Sequence, residues 1–226
     1  MNTQLYSFWR SSAAFRVRIA LNLKGMNYEV IPVHLLRDGG EQRRAEYSGK
    51  NPNCLVPLFT DGTHTIHQSL AIIEYLEEIQ ATPALLPKTA IDRAWVRAVA
   101  MDIAIEIHPM NNLRVLRYLI KTLGVSAEAK DTWNQHWMNL GLASLENQLS
   151  SDPRVGRFAY GDQPGLIDIC LAPQIFNALS AKMDMKAYPT LIKIFNECMK
   201  LPEFIDASWE NQIDAEGSNP LIPPQE

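Results

Sequence analysis

Residues 11–21 read Ser-Ser-Ala-Ala-Phe-Arg-Val-Arg-Ile-Ala-Leu, and the fold is organised around this stretch. It follows a short apolar run, residues 4–8, that is typical of a strand, and its apolar residues then recur at helical spacing. Ser11 and Ser12 therefore stand where a strand turns into a helix. The N-terminus of a helix has unpaired N–H groups and a partial positive charge, which favour an anion. A serine there serves as an N-cap, or it donates a hydrogen bond to a thiolate and so activates a nucleophile.

The composition is that of a globular protein. Of the 226 residues, 46% are hydrophobic and 20% are charged, so the chain can bury a sizeable core. The net charge of −4 gives no electrostatic reason to expect nucleic acid or an anionic membrane as a partner. No apolar run approaches the roughly 20 residues that span a bilayer, and no secretory signal is visible. Cys54, Cys170 and Cys198 form no C-x-x-C pair, so we expect reduced thiols in a cytoplasmic protein.

The first 80 residues predict a βαβ unit followed by a β-hairpin and a helix. A right-handed crossover makes the first two strands parallel, and the hairpin adds antiparallel strands. This order predicts an α/β domain of the thioredoxin-like type. The predicted elements are strand 4–8, helix 12–24 ending at Gly25, strand 28–34, a hairpin at Asp61-Gly62 and helix 69–79.

The rest of the chain predicts a second, all-helical domain. Residues 81–88 contain two prolines and no periodicity, so we interpret them as a linker between domains 1–80 and 89–226. His108-Pro109 should interrupt the first long helix because proline lacks an N–H donor. A later helix, residues 126–149, is predicted to turn one apolar face to the core. The residues of that face are Trp133, Trp137, Leu140 and Leu145. The proline-rich end, residues 219–226, is predicted to be a tail.

Three motifs give a specific resemblance. They are Tyr6–Leu21, the Asn51-Pro52 to Val56-Pro57 loop, and Ile66–Glu78. Together they resemble the zeta class of the cytosolic glutathione transferases, which includes maleylacetoacetate isomerases and glutathione-dependent maleylpyruvate isomerases. The resemblance implies glutathione as cofactor, a small dicarboxylate substrate and a homodimer. It also implies cis–trans isomerisation by thiolate addition, rotation and elimination.

The resemblance implies a glutathione site. Val56, preceding a cis Pro57, would pair with the cysteinyl part of glutathione, and Gln42 would reach the glycyl end. Gln68 and Ser69 would hold the γ-glutamyl carboxylate at a helix N-terminus. From the residues alone, Ser69 is equally a cap, Gln42 a loop glutamine, and a cis bond before Pro57 is not indicated. The expected cofactor-binding residues are Ser11, Ser12, Gln42, Val56, Pro57, Gln68, Ser69, His108 and Asn112.

The substrate site is expected to use arginine. Arg10 directly precedes the two serines, and Arg114 lies in a segment, residues 107–114, that resembles the H-P-x-N-N segment of maleylpyruvate isomerases. A planar guanidinium suits a carboxylate. The expected catalytic residues are Ser11, Ser12, Arg10 and Arg114, while Arg16 and Arg18 are interpreted as charges on the surface of the helix or at an interface.

Two positions depart from the class. Ala13 stands where a cysteine usually follows the two serines, and Ser180 stands where relatives commonly have an arginine. The first excludes a mechanism that uses a protein thiol at this position. The second leaves open a general glutathione transferase for small electrophiles, or a non-catalytic glutathione-binding module. We expect no metal site, because His64 and His67 are the only histidines close in sequence and both fall on the hairpin.

Overall fold

The computed structural model describes residues 3–216, which divide into two units. Unit 1 combines residues 3–84 with 201–216, and unit 2 comprises residues 85–200. In unit 1 the elements are β1 Gln4–Ser7, α1 Ser12–Leu23, β2 Glu29–Pro32, α2 Ala45–Ser48, β3 Leu58–Thr60, β4 Thr65–His67, α3 Ser69–Ile79 and, near the end of the chain, α9 Pro202–Ile205. In unit 2 they are α4 Ala90–Met101, α5 Leu113–Lys121, α6 Ala127–Leu149, α7 Leu166–Ser180 and α8 Pro189–Cys198.

Unit 1 contains a four-stranded sheet in the order β2-β1-β3-β4. β1 and β2 are parallel, whereas β1 with β3 and β3 with β4 are antiparallel. The hairpin between β3 and β4 turns at Asp61, whose carboxylate accepts the N–H groups of Thr63 and His64 at 2.8 and 2.7 Å. This topology confirms the thioredoxin-like prediction.

Helix α1 begins and ends on the signals seen in the sequence. Ser11 is its N-cap, and Gly25 follows with a φ of +63°, a left-handed conformation that glycine adopts without strain. Lys24, at the C-cap, is buried, and its ammonium donates to the Glu77 carboxylate and to the carbonyls of Gln80 and Pro83, each at 2.6 Å. This buried ion pair joins the end of α1 to the end of α3.

The C-terminal part of the chain differs from the prediction. We predicted residues 89–226 as one helical domain, but residues 201–216 belong with unit 1. Buried Arg18 on α1 donates to the carbonyl of Ala207 at 2.9 Å, and Asp214 accepts the N–H of Trp9 at 3.0 Å. These contacts depend on residues far apart in the sequence, which a local pattern does not reveal. The predicted tail, residues 219–226, lies outside the described residues.

Unit 2 is helical, as predicted for this part of the chain. Beyond α4 the helix widens into a π-helical turn at Asp102–Ile107 and then tightens into a 3₁₀ turn at His108–Asn111. Pro109 explains the change, because it cannot donate the backbone hydrogen bond of a continuing α-helix. The π-helical turn packs closely on α6, where a Cβ atom added at Gly141 would collide with the side chain of Ile107.

The predicted core face of α6 was partly wrong. Leu140 is 59% exposed, while Leu145 is fully buried. The buried positions of this helix recur at helical spacing and form a single apolar stripe that does not include Leu140. They include Met138, Leu142, Leu145 and Leu149. Within residues 3–216, no helix is both long and apolar enough to cross a membrane.

Candidate active site

One end of the sheet in unit 1 gathers the segments that contain the predicted site. Tyr6 of β1 is paired with Leu58 of β3, and Leu58 is paired with His67 of β4. The C-terminal end of β1, the start of β3 and the end of β4 therefore lie side by side. The two serines follow β1, the Val56-Pro57 loop precedes β3, and Gln68 follows β4. β2 is parallel to β1 and also ends here, before the chain continues to Gln42.

The two serines occupy different environments at the start of α1. Ser11 is half-buried, and its hydroxyl oxygen accepts the N–H of Ala14 at 3.2 Å. Because an accepting hydroxyl still has its own proton, Ser11 can donate to a further group. Ser12 is the first residue of the helix and is 3% exposed. These environments favour Ser11 as the donor to an incoming ligand.

Arg10 lies between two tryptophans. Its guanidinium carbon is 5.6 Å from the ring centroid of Trp9 and 5.3 Å from that of Trp209, and the side chain is exposed. The two indoles meet edge to face, with centroids 6.4 Å apart. Both distances to Arg10 fall within the range of a cation–π interaction. No local pattern near Arg10 indicates that Trp209 contacts it, because Trp209 lies nearly 200 residues further along the chain.

The Val56-Pro57 peptide bond is cis, as the resemblance implied. The loop before it is held by Tyr47 and Asn51, whose side chains donate to the carbonyl of Leu55 at 2.6 and 2.7 Å. Burial raises the pKa of Tyr47 to about 12, which keeps its hydroxyl protonated as a donor. Within residues 3–216, the backbone N–H and C=O of Val56 make no hydrogen bond. These groups are therefore available to pair with an extended peptide.

Among residues 3–216, no side chain caps the N-terminus of α3. Gln68 stands at the N-cap position with a φ of +73°, and its side chain makes no capping hydrogen bond. Ser69, which is 5% exposed, accepts from the Arg16 guanidinium at 3.4 Å and keeps its own proton for donation. Uncapped N–H groups, a hydroxyl and a nearby cation together suit a carboxylate.

Arg16 and Arg18 were both misinterpreted as surface charges. Arg16 is 2% exposed and lies behind Ser69. Arg18 is fully buried and donates to the hydroxyl of Ser7 at 3.0 Å and to the carbonyl of Trp9 at 3.2 Å. Desolvation by burial lowers the pKa of Arg18 to about 10, so the guanidinium is charged at neutral pH. Both side chains thus support the site from within unit 1.

Gln42 is a buried amide that suits a ligand. It is 7% exposed, and its Oε1 has no hydrogen-bond partner among residues 3–216. The side chain folds over Gly40, where an added Cβ atom would lie 2.5 to 2.9 Å from the amide. A buried acceptor without a donor costs about 1–3 kcal/mol, and an N–H group of a bound peptide would remove that cost. This observation shows that the residues fit a peptide-like cofactor.

The second predicted segment lies in unit 2. His108 is half-buried at the start of the 3₁₀ turn, and Asn112 caps α5 by accepting the N–H of Arg114 at 3.1 Å. Arg114 is exposed in the first turn of α5. The segment is anchored on α6, because Asn111 donates to the side chain of Asn134 at 2.8 Å. His108, Asn112 and Arg114 therefore lie on one short segment of unit 2, across the 3₁₀ turn and the start of α5.

Comparison with known proteins agrees with this architecture. A family model described as "Glutathione S-transferase, N-terminal domain" matches residues 10–79. A probable maleylacetoacetate isomerase from Vibrio cholerae is 48% identical over 215 residues, which cover 95% of this chain and 99% of that protein. A solved structure of a zeta-class maleylpyruvate isomerase is 41% identical, with a TM-score of 0.91 over 94% of this chain and all of the other. The chain belongs to the zeta class of the glutathione transferases.

A second neighbour was solved with ligands. It is a maleylacetoacetate isomerase from Methylobacterium extorquens AM1 with bound malonate and glutathione, 36% identical, with a TM-score of 0.91. The alignment covers 95% of this chain and all of that one.

Among residues 3–216, no group of three or more His, Cys, Asp or Glu side chains could hold a metal ion.

Proposed function

We propose that this protein is a glutathione-dependent cis–trans isomerase of maleylacetoacetate or maleylpyruvate. The observation that carries the proposal is the sheet end in unit 1, where a serine-capped helix, the free backbone of Val56 and the uncapped start of α3 converge. The isomerases named among the relatives support the reaction class. The malonate and glutathione in the neighbour's structure support a dicarboxylate substrate and this cofactor.

Each part of glutathione has a candidate partner in unit 1. Ser69 and the N–H groups of α3 would bind the γ-glutamyl carboxylate, with Gln68 beside them. The backbone of Val56, held next to Pro57, would pair with the cysteinyl residue. Buried Gln42 would accept from the N–H of the glycyl residue. These groups would fix the thiol relative to α1.

The chemistry needs a thiolate, a way to bind two carboxylates and stabilisation of developing charge. Bound glutathione supplies the sulfur that adds to the cis double bond and leaves after rotation. Ser11 would donate a hydrogen bond to that sulfur, and the partial positive charge at the start of α1 would also favour the thiolate. Ser12 is the alternative donor. Ala13 removes the class's usual protein thiol, which this route does not require.

Arginines would bind the substrate. Arg10 presents a guanidinium next to Ser11 in unit 1, and Arg114 is an exposed guanidinium in unit 2. Each could hold a carboxylate through two parallel hydrogen bonds. His108 and Asn112, on the segment with Arg114, remain predicted ligand-binding residues.

The proposal includes a cytoplasmic homodimer. The three cysteines are free, which fits a reducing compartment. The homodimer rests on the resemblance to the zeta class, and analytical ultracentrifugation at micromolar concentration would test it.

The isomerase reaction can be tested directly. The ultraviolet absorbance of maleylpyruvate and of maleylacetoacetate would be followed with and without catalytic glutathione. We expect turnover of at least one diacid while the glutathione concentration stays constant. Arg10→Met should raise the KM for the diacid, whereas Arg157→Met, which removes an exposed arginine paired with Glu197, should not. Binding of glutathione without turnover of either diacid would contradict the proposal and favour a conjugating enzyme or a binding module.

A further inference from the structure

The contact of the Arg10 guanidinium with two indoles supports an inference that rests on the proposed function and extends it. Arg10 is exposed, but Trp209 is only 2% exposed and half-exposed Trp9 meets it edge to face at an interplanar angle of 90°. We propose that Trp209, together with Trp9, is a positioning residue that holds the Arg10 guanidinium in the orientation that binds a substrate carboxylate.

A free arginine side chain is poorly suited to this task. Its flexible stem has on the order of 2 kcal/mol of rotamer entropy, part of which is lost when a carboxylate fixes it. A guanidinium packed over an aromatic face keeps its N–H donors along its edge, where a carboxylate can accept two of them. The rings therefore restrict Arg10 before the substrate arrives, so less entropy is lost on binding.

The two rings are held in place by buried groups. The Arg18 guanidinium donates to the carbonyl of Ala207 at 2.9 Å and to the carbonyl of Trp9 at 3.2 Å, so one side chain joins the two segments. The backbone N–H of Trp9 donates to the carboxylate of Asp214 at 3.0 Å. The C-terminal segment, residues 201–216, thus supplies one of the two rings that contact Arg10. A tryptophan that only filled the core would not need to be aligned with an exposed cation.

The experiment is a double-mutant cycle on isomerase kinetics. Trp209→Met removes the ring but fills much of its volume, and Trp209→Phe keeps an aromatic face. We expect Trp209→Met to raise the KM for the diacid about three- to tenfold, equivalent to roughly 0.6–1.4 kcal/mol. The KM for glutathione and kcat should stay within about twofold of the wild type, and Trp209→Phe should recover most of the diacid affinity. In an Arg10→Met background, Trp209→Met should have no further effect.

Two additional variants address stability. Asn211→Ala loosens the 3₁₀ turn Trp209–Asn211 by removing a 2.8 Å hydrogen bond to the carbonyl of Ile205, but it leaves the Trp209 ring, so the KM for the diacid should not change. If Trp209→Met does not fold, Trp9→Met provides the test, because the half-exposed ring of Trp9 is the other ring that contacts Arg10. It should raise the KM for the diacid and lose its effect when Arg10 is replaced.

Several outcomes would overturn the inference. If the fold-changes in the KM for the diacid caused by Arg10→Met and Trp209→Met multiply in the double variant, the two residues act independently. Trp209 would then be a packing residue only. The same conclusion would follow if Trp209→Met changed the KM values of both ligands alike. A wild-type protein without isomerase turnover would refute the proposed function and this inference together, whereas turnover with multiplicative effects would refute this inference alone.

Discussion

Replacement of Ser11 by alanine separates the two roles that its hydroxyl can have. The oxygen accepts the N–H of Ala14 at 3.2 Å, which caps α1, and the proton is proposed to stabilise the glutathione thiolate. Loss of an N-cap costs about 1 kcal/mol of stability. Loss of a hydrogen bond to a charged group costs a further ~1.5–3 kcal/mol, but only in the state that contains the thiolate.

The second cost sets the expected change in thiol pKa. One pKa unit corresponds to about 1.4 kcal/mol, so Ser11→Ala should raise the pKa of the bound thiol by about 1–2 units. Where that pKa exceeds the assay pH, the thiolate fraction falls roughly 10- to 100-fold. We expect kcat/KM for the isomerisation at neutral pH to fall by a similar factor. The free energy of unfolding should fall by only about 1 kcal/mol.

Ser126 provides a matched control. It caps α6 in unit 2 with almost the same geometry, since its oxygen accepts the N–H of Ala129 at 3.1 Å. Ser126→Ala should lose a similar amount of stability without any change in thiol pKa. The thiolate absorbance of bound glutathione, titrated against pH, gives the pKa, and urea unfolding gives the stability. Ser12→Ala, measured in the same way, tests the alternative donor.

One result would refute the reasoning. If Ser11→Ala loses as much stability as Ser126→Ala but leaves the thiol pKa and kcat/KM unchanged, Ser11 is a helix cap and nothing more. A pKa rise on Ser12→Ala alone would transfer the catalytic role to that residue.

Three further predictions concern stability, each measured by urea unfolding. Lys24→Met removes the cation that pairs with the buried Glu77 carboxylate and should cost about 3–5 kcal/mol; Lys200→Met breaks an ion pair of equal length at the surface, so a similar loss in both would contradict the argument. Burial raises the pKa of Asp168 from 3.8 to about 6, so the folded state binds a proton that the unfolded state does not. The free energy of unfolding of the wild type minus that of Asp168→Asn should therefore fall as pH rises from about 4 to about 6, by up to roughly 3 kcal/mol. A difference that does not change with pH would exclude this titration. Gly141→Ala should cost about 1–3 kcal/mol by overpacking, and the same substitution should cost less in an Ile107→Ala background, which lacks the clashing Cγ1 and Cδ1 atoms, if the clash is its cause.

Elements with local signals were predictable from the sequence. The bounds of α1 and α3, the Asp61-Gly62 hairpin and the interruption at Pro109 each depend on residues within one or two turns of chain. The cis bond before Pro57 had no such signal and followed only from family resemblance. The location of the serines at a helix start, and hence the candidate thiolate site, was therefore available before any coordinates.

Features that depend on distant contacts were not predictable. Arg16 and Arg18 carry charges on a helix, and a helical pattern alone assigns such side chains to solvent. Their burial depends on Ser69 and Ala207, which are 53 and 189 residues away. Leu140 shows the converse, since an apolar residue in a periodic helix was assigned to the core but is 59% exposed. Periodicity gives the existence of an apolar face, while tertiary packing selects which residues it includes.

The use of residues 201–216 to complete unit 1 has a consequence for synthesis on the ribosome. Arg18 emerges early, but its acceptor, the carbonyl of Ala207, is translated 189 residues later. At roughly 5–20 residues per second, that interval lasts on the order of 10–40 seconds. Throughout this time the Arg18 guanidinium of the nascent α1 has Ser7 and Trp9 available as partners but lacks the carbonyl of Ala207. The loop with Arg10 can therefore reach its final packing only after residues 201–216 have been translated, so the proposed catalytic centre in unit 1 cannot be completed until all of unit 2 has been synthesised.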